Sequence, residues 1–546
     1  MLRQSQSRPN ILLITMDQLR YDYVGAYQPE GQRFMDTPCM DALARNGCLY
    51  THAYSPNPVC IPARYNLITG LTARHHGFDD NYFGSEAKPA PWNLPTFAQI
   101  LSDAGYSTAA VGKMHFQPER RATGFDFFLN ADEVVDDVLE DDYAMDLRSK
   151  GYGSLGSYHG VRNALYMQPQ QSILPEELHG SHWIADRSID FLRLRGNTSR
   201  PFLLWTGFKH PHPPFDIPEA WAHKYDGKIP PHTSSVTPLS LLAEENKCIA
   251  DLPDEENINR IRELYACAVS FADYNIGRIV QALKDYGYYD NTLIIVTADH
   301  GEMLGDLDTY QKFLPHDPSC RIPLILHWPQ GIQPGTVETG FADLNDILPT
   351  MADLAGTTYP ADYDLPGESL FAPAPKKDRR WQYVEHQRES KRWCMIRNER
   401  YKYVHFYGDR DQLFDMLSDP QEQVNLLHGQ PDPSALAVRE ELRAVLLRYE
   451  ARYGLPGYAD KDDFTSFPPY RIQTYREFCS PCQTIRIRGE EDSLTPLEEE
   501  IIAAIRREPT VHLSKLDIES LLKTHSGLTD ERYLRLCEMA KEIGRY

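Results

Sequence analysis

The sequence has no apolar run long enough to cross a lipid bilayer. A membrane-spanning helix needs about 20 consecutive apolar residues, and even a run of about 18 is missing from the 546 residues. The start of the chain also lacks the apolar stretch and the small-residue cleavage site of a secretion signal. We therefore expect a soluble, cytoplasmic protein with no membrane partner.

Positive charge is scarce. The chain has 56 lysine and arginine residues against 78 aspartate and glutamate residues, which gives a formal net charge of −22. An electrostatic field of this sign repels nucleic acid and anionic membrane surfaces. It also disfavours a long polyanionic substrate, so we expect a small or sparsely charged substrate and no nucleic acid partner.

Closely spaced cysteines are rare as well. The ten cysteines are irregularly spaced, and Cys479 and Cys482 form the only CxxC pair. Without a second pair this motif does not predict a zinc site. In the expected compartment the thiols should stay mostly reduced, so we predict no disulfide framework.

Three short apolar runs predict buried strands of a parallel sheet. They span residues 10–15, 202–206 and 292–297. The polar residues that follow these strands are Asp17, Lys209, His210, His212, Asp299 and His300. Because ligands bind beyond the carboxyl ends of strands in open α/β sheets, we expect these side chains to share one rim.

Helical segments alternate with these strands, which indicates an α/β architecture. Residues 94–104 follow helical spacing, and residues 262–286 form a long amphipathic stretch. Residues 358–379 are rich in proline and aspartate and predict a linker.

A smaller unit follows the linker. Residues 381–387 and 393–406 read as strands, and residues 434–451 as a helix. Capping signals farther along predict a small group of helices at the C-terminus. We predict three parts: a catalytic domain at 1–375, a smaller α+β domain at 376–460 and a helical extension at 461–546.

The most informative local motif runs from Pro58 to Arg64 and reads Pro-Val-Cys-Ile-Pro-Ala-Arg. Pro62 suits the first turn of a helix, so Cys60 should lie at the helix N-terminus with Arg64 one turn later. The helix dipole and the guanidinium would both stabilise negative charge beside Cys60. A nucleophilic position is one interpretation, and a buried structural cysteine is the other.

With this motif the chain resembles the sulfatase family of the alkaline phosphatase superfamily, whose signature is Cys-x-Pro-x-Arg. The resemblance covers most of residues 9–455. The other matching segments, in the family's order, are Met16-Asp17-Gln18, Val111-Gly112-Lys113-Met114-His115, Pro211-His212-Pro213, Ala298-Asp299-His300-Gly301-Glu302 and Gln412-Leu413-Phe414-Asp415. It implies a sulfuric ester hydrolase whose α/β fold has a large mixed sheet flanked by helices, as in alkaline phosphatase.

The resemblance implies that a formylglycine-generating enzyme oxidises Cys60 to formylglycine, which hydrates to a gem-diol held by Arg64. It also implies one divalent cation, bound by the modified Cys60 and by Asp17, Gln18, Asp299 and His300. The family's commonest set has aspartate in place of Gln18 and often asparagine in place of His300. Oxygen ligands favour calcium or magnesium, and imidazole suits manganese or zinc. We expect calcium and leave the other three metals open.

The family's mechanism implies roles for five further residues. Lys113 and Lys312 are expected to bind the sulfate and neutralise charge on its oxygens. His115 is the expected base that regenerates the aldehyde. His212, aided by Lys312, is the expected acid toward the leaving oxygen, and His210 could exchange roles with it in binding the substrate.

Two alternatives remain open. The pairs that Gln18 and His300 form with their neighbouring aspartates also occur in phosphonate and phosphate ester hydrolases of the same superfamily. The Lys113 and His115 pair resembles the sulfate-binding pair and favours a sulfatase. A non-catalytic binding protein is the second alternative, and the retention of Cys60 and the other motif residues argues against it.

The sequence does not identify the alcohol part of the substrate. Specificity should come from irregular segments around 76–92, 130–175 and 215–250, whose aromatic residues include Tyr82, Phe83, Trp92, Tyr152 and Tyr158. These rings could stack on a sugar or an aryl group, or they could pack. We expect a carbohydrate sulfate first and an aryl or choline-like sulfate next. The helical extension could cover the rim or form the contact of a homo-oligomer.

Overall fold

Strands and helices alternate through most of the chain, as predicted. The computed structural model describes residues 8–82, 89–121, 123–133, 138–153, 158, 169–196, 198–247, 255–360, 362–372, 378–460 and 462–472. The strands are β1 (Asn10–Met16), β2 (Cys48–Tyr50), β3 (Ala53–Tyr54), β4 (Ser107–Gly112), β5 (Phe127–Asn130), β6 (Pro169–Gln171), β7 (Phe202–Phe208), β8 (Phe215–Ile217), β9 (Thr292–Ala298), β10 (Arg321–Ile322), β11 (Leu324–His327), β12 (Thr336–Glu338), β13 (Ala342–Asp343), β14 (Gln382–His386), β15 (Trp393–Arg397), β16 (Tyr401–Phe406) and β17 (Gln412–Asp415). The α-helices are α1 (Pro38–Arg45), α2 (Cys60–Thr69), α3 (Ala73–His76), α4 (Phe97–Asp103), α5 (Asp142–Leu147), α6 (Gly180–Leu194), α7 (Glu219–Ala222), α8 (Leu241–Lys247), α9 (Glu255–Asp285), α10 (Asp317–Cys320), α11 (Ile347–Ala355) and α12 (Pro433–Tyr453).

A large mixed sheet forms the centre of the fold. Its strand order is β12-β2-β11-β9-β1-β7-β4-β5. The strands from β9 to β5 in this order run parallel, and β11 pairs antiparallel with β9. The three predicted strands are its central strands β1, β7 and β9, which are apolar and buried because helices flank the sheet. The predicted α/β fold is confirmed.

Both helices predicted for this part of the chain are present. All of the stretch at 262–286 except its last residue lies within α9, which packs against α6 and α1 with Ile261, Leu264 and Ala268 buried. Its apolar positions recur every three or four residues, as the sequence suggested. The segment at 94–104 contains α4, and Thr96 caps that helix by accepting a hydrogen bond from the Gln99 backbone N–H.

The smaller unit is a four-stranded antiparallel sheet in the order β14-β15-β16-β17, with α12 packed against β15. The run predicted as strand at 393–406 is two strands. The Asn398 side chain accepts hydrogen bonds from the backbone N–H groups of Arg400 and Tyr401, and this turn separates β15 from β16. The predicted limits of the two domains stay predictions.

A buried ion network joins the smaller sheet to the segment after β9. Lys402 Nζ lies 2.6 Å from Asp317 Oδ1 and 2.6 Å from Glu422 Oε1. Arg397 Nη1 lies 3.0 Å from Asp317 Oδ2, and the Trp393 indole N–H donates to the Phe313 carbonyl at 2.8 Å. These contacts fix the loop between β9 and α10, which carries Lys312.

Little of the predicted helical extension falls within the described residues. Residues 462–472 contain no helix, and Phe464 forms an isolated bridge with Ala459. The predicted helices, like Cys479 and Cys482, lie outside the described residues. Across the described part of the chain, no helix combines the length and the apolar character needed to cross a bilayer.

Candidate active site

Two neighbouring parallel strands bring carboxylates to the same edge of the large sheet. In the pairing of β1 with β9, Met16 lies opposite Ala298. Asp17 and Asp299 directly follow these two residues and therefore lie side by side beyond the strand ends. Both side chains are completely buried. The shared rim is confirmed for these two residues and for His300.

Cys60 reaches this cluster from the first residue of α2. The preceding Val59 is extended, and the whole helix is buried. Cys60 Sγ lies 3.2 Å from His300 Nε2 and 3.9 Å from Asp17 Oδ1. The predicted position of Cys60 at a helix N-terminus is confirmed.

Four side chains form a group that fits one divalent cation: Asp17, Cys60, Asp299 and His300. Their ligand atoms all lie within 4.8 Å of one another, and all four are buried. His300 Nε2 is 3.7 Å from Asp17 Oδ1 and 3.8 Å from Asp299 Oδ1. Ligands bound at about 2.0–2.4 Å from one ion lie roughly 3–4 Å apart, so this spacing suits a shared metal.

The tautomer of His300 also suits metal binding. His300 Nδ1 lies 2.9 Å from the Gly301 carbonyl, so Nδ1–H must donate and Nε2 presents its lone pair to the cluster. Burial lowers the pKa of His300, although Asp299 and Asp17 oppose this shift. The neutral imidazole is the form that binds a metal.

Gln18 lies beside these four residues. Its backbone N–H donates to Asp299 Oδ1 at 3.0 Å, and its side-chain oxygen accepts from Lys312 Nζ at 2.8 Å. The side-chain amide donates to Glu302. Gln18 therefore joins the carboxylates to Lys312, and its role as a metal ligand stays a prediction.

Arg64 bridges the two aspartates. Its guanidinium contacts Asp299 Oδ2 at 2.9 Å, Asp17 Oδ2 at 3.1 Å and the Lys113 carbonyl at 2.6 Å. The charge of Arg64 is thus directed to the carboxylates. The expected stabilisation of negative charge at Cys60 by the helix terminus and Arg64 is outweighed in the thiol form. Burial, reinforced by Asp17, raises the pKa of the Cys60 thiol to about 12.

Lys113 and His115 follow β4, two strands away from β1. Lys113 Nζ forms ion pairs with Asp17 and with Glu133, whose Oε2 lies at 2.5 Å. Burial and the Lys113 charge lower the pKa of His115 to about 3, so this imidazole is neutral at physiological pH. Burial lowers the pKa of the Lys113 ammonium. The charges of Asp17 and Glu133 raise this pKa by more than burial lowers it, so the ammonium stays charged.

Glu133 contacts Lys113 and also His212, and His212 in turn contacts Lys312. His212 Nε2 lies 3.1 Å from Lys312 Nζ and 3.0 Å from Glu133 Oε2. Its Nδ1 lies 2.6 Å from the Pro213 carbonyl and therefore carries the proton that this contact requires. The structure thus brings the predicted residues His212 and Lys312 together.

His210 lies in a separate buried group. Its Nε2 is 3.0 Å from Asp216 Oδ1, and its Nδ1 is 3.2 Å from Ser181 Oγ. Lys209 Nζ contacts the same Asp216 oxygen at 3.1 Å, and His179 Nε2 lies 3.1 Å from the Asp216 carbonyl. Because both ring nitrogens of His210 are engaged here, the geometry does not support its exchange with His212.

Sequence reasoning missed two buried carboxylates. Glu133 lies between Lys113 and His212, and Glu302 accepts hydrogen bonds from Gln18 and from the Leu304 backbone at 3.0 Å. Glu302 directly follows the Asp299-His300-Gly301 run, and this proximity was an available signal. Glu133 lies just beyond the edge strand β5, where no local pattern indicated a site.

The aromatic candidates separate into packing and exposed residues. Tyr158 is buried and meets Tyr143 edge to face, and Tyr152 packs against the main core. The Tyr82 hydroxyl donates to Asp79 at 2.9 Å, whereas Trp92 is 88% exposed. Phe83 lies outside the described residues.

Comparisons with known proteins show which families and individual proteins the chain resembles. A family model described as Sulfatase matches residues 9–357, which is more than half of the chain. A second model, described as N-sulphoglucosamine sulphohydrolase, C-terminal, matches residues 305–452.

Individual proteins are similar over most of the chain. An arylsulfatase from Clostridium perfringens is 29% identical over 482 residues, which is 83% of this chain and 96% of the relative. A choline-sulfatase from Rhizobium meliloti is 29% identical over 480 residues, or 81% and 88% of the two chains. The crystal structure of a phosphonate monoester hydrolase of Agrobacterium radiobacter is similar with a TM-score of 0.68 and 25% identity, covering 85% of this chain and all of that chain.

Proposed function

The chain belongs to the sulfatase family, and from that premise we propose that it hydrolyses a sulfate monoester at the cluster around Cys60. The observation that carries this proposal is the arrangement of the cluster. The ligand atoms of Asp17, Cys60, Asp299 and His300 converge within 4.8 Å. Lys113 and Lys312 supply cations next to them, as a sulfuryl group with anionic oxygens requires.

We propose that the cluster binds one calcium ion and that Cys60 acts as formylglycine. The cation would polarise the sulfate oxygens, and the hydrated formylglycine would supply the attacking hydroxyl. The two buried carboxylates favour a hard cation, and the neutral imidazole of His300 can complete the site. Magnesium, manganese and zinc remain to be compared by binding.

We propose the remaining roles from the resemblance to the family, and the contacts of Arg64, Lys312 and His212 support them. Arg64 holds both aspartates in place through its buried guanidinium. Lys113 and Lys312 neutralise charge on the sulfate oxygens as the S–O bond breaks. The proton for the leaving oxygen comes from the pair formed by Lys312 and His212, whose Nζ and Nε2 lie 3.1 Å apart. His115, neutral and buried, accepts the proton that is released when the sulfate leaves.

We propose a carbohydrate sulfate as the substrate, followed by an aryl or choline-like sulfate. An N-acetylglucosamine-6-O-sulfatase of Bacteroides thetaiotaomicron is 26% identical to this chain, which supports the first choice, and the choline-sulfatase supports the second. Maturation by a formylglycine-generating enzyme is part of the proposal. A homo-oligomer contact through residues 461–546 stays a prediction.

The competing activity is hydrolysis of a phosphonate monoester. We consider it because the chain is similar to the phosphonate monoester hydrolase of Agrobacterium radiobacter. Lys113 and His115, which lie beside the cluster, favour the sulfate ester. We would measure kcat/KM for a matched aryl sulfate and aryl phosphonate monoester, using the wild type and Cys60→Ala. We expect faster sulfate turnover that Cys60→Ala abolishes. If phosphonate turnover were faster, we would conclude that the protein is a phosphonate monoester hydrolase and not a sulfatase.

A further inference from the structure

A carboxylate lies inside the pocket that is proposed to bind an anion. Glu133 Oε2 is 2.5 Å from Lys113 Nζ and 3.0 Å from His212 Nε2, and Lys312 Nζ is 3.1 Å from the same imidazole nitrogen. The side chain of Glu133 is only 5% exposed. A buried negative charge among the sulfate-binding groups opposes anion binding, so its presence needs an explanation.

The need to hold Lys113 and His212 in place does not explain why a carboxylate occupies position 133. Lys113 also forms an ion pair with Asp17, and its pKa is raised by both carboxylates. His212 is fixed through Nδ1, which donates to the Pro213 carbonyl at 2.6 Å. Both neighbours therefore keep a strong contact when the Glu133 carboxylate is absent.

Charge supplies the explanation. The Coulomb energy of an anion near Glu133 is proportional to the charge of that anion. A sulfate monoester carries one negative charge. Inorganic sulfate carries two, and a phosphate monoester approaches two at neutral pH because its second pKa is about 6. The repulsion from Glu133 is therefore twice as strong for these dianions as for the ester.

We infer that Glu133 makes the pocket selective for esters with one negative charge and weakens its hold on the sulfate dianion that the reaction produces. The inference rests on the proposed function, since it takes the space between Lys113, His212 and Lys312 as the ester site. Glu133 acts through its charge and is a specificity-determining residue. It exchanges no proton with the substrate.

The test compares two anions of similar size that differ in charge. Methanesulfonate represents the singly charged ester, and inorganic sulfate represents the dianion. Isothermal titration calorimetry on the calcium-loaded enzyme gives both dissociation constants for the wild type and for Glu133→Gln. Glu133→Asp keeps the charge, and Glu140→Gln removes a charge from an exposed side chain of the same region.

In Glu133→Gln, sulfate binding should strengthen relative to methanesulfonate binding by roughly tenfold or more. Two unit charges a few ångströms apart, at an effective dielectric constant of about 20, interact strongly enough for such a change. Glu133→Asp should stay near the wild-type ratio, and Glu140→Gln should match it. Product inhibition by sulfate in the steady-state assay should increase in Glu133→Gln alone.

An unchanged ratio in a folded, calcium-loaded Glu133→Gln would overturn the inference, even if both affinities moved together. If that variant fails to fold, Glu133→Ser, which also removes the charge, is measured in its place, and an unchanged ratio there would overturn the inference as well. Failure of the proposed function gives a different result, because the wild type would then bind neither anion and turn over no aryl sulfate.

Discussion

Replacing Arg64 by glutamine should destabilise the metal-free protein by an amount that calcium largely restores. The Arg64 guanidinium is completely buried and contacts carboxylate oxygens of Asp17 and Asp299 at 3.1 and 2.9 Å. Removing one partner of a buried ion pair costs about 3–5 kcal/mol. The family match spans residues 9–357, and at about 2.1 cal/mol/K per residue its unfolding entropy is roughly 0.7 kcal/mol/K. The melting temperature of the chelated variant should therefore fall by about 4–7 °C.

Scanning calorimetry after chelation, repeated with calcium, measures both parts of this prediction. A divalent cation supplies the charge that the variant lacks, so calcium should raise the melting temperature of Arg64→Gln more than that of the wild type. Arg380→Gln is the matched control, because Arg380 is exposed and pairs with Asp378 at the surface. If chelated Arg64→Gln melted with the wild type, or if calcium stabilised both equally, the bridging role of Arg64 would be refuted.

Three further predictions concern single residues. Lys312→Met should lower kcat/KM for an aryl sulfate by roughly a hundredfold, because charge on the sulfate oxygens is then less well neutralised, and initial rates measure this. Asp216→Asn, which removes the acceptor shared by Lys209 and His210, should lower the urea midpoint of unfolding while the bound calcium, measured by atomic emission, stays unchanged. Burial raises the pKa of Asp216, but Lys209 and His210 lower this pKa by more than burial raises it, so the net shift is downward. Its stabilising effect is thus present above about pH 4 and lost as the pH falls, and urea midpoints from pH 3 to 7 should depend less on pH in Asp216→Asn.

The convergence of Asp17, Asp299 and His300 was predictable because it follows from strand adjacency. Continuous apolar runs identify β1 and β9 as buried strands, and a parallel pair must end at the same edge. The position of Cys60 was predictable for a similar reason, since Pro62 favours the first turn of a helix. In each case a short local pattern determines the secondary structure, and the end of that strand or helix determines where the side chain lies.

Glu133 and His210 show where this reasoning stops. Glu133 follows β5, a short and partly exposed edge strand, and its importance arises only from contacts with residues far away in the sequence. His210 and His212 are two positions apart in one loop, and the sequence does not say which ring contacts Lys312. The Cys60 thiol is a third case, because burial and Asp17 outweigh the helix terminus and raise its pKa.

The mass of the tryptic peptide that contains Cys60 tests the central claim most directly. The protein would be co-expressed with a formylglycine-generating enzyme, and the same preparation would be assayed on an aryl sulfate. We predict that an aldehyde replaces the thiol and that turnover rises in proportion to the modified fraction across preparations. Full sulfate ester turnover by protein whose Cys60 is entirely unmodified would contradict the account.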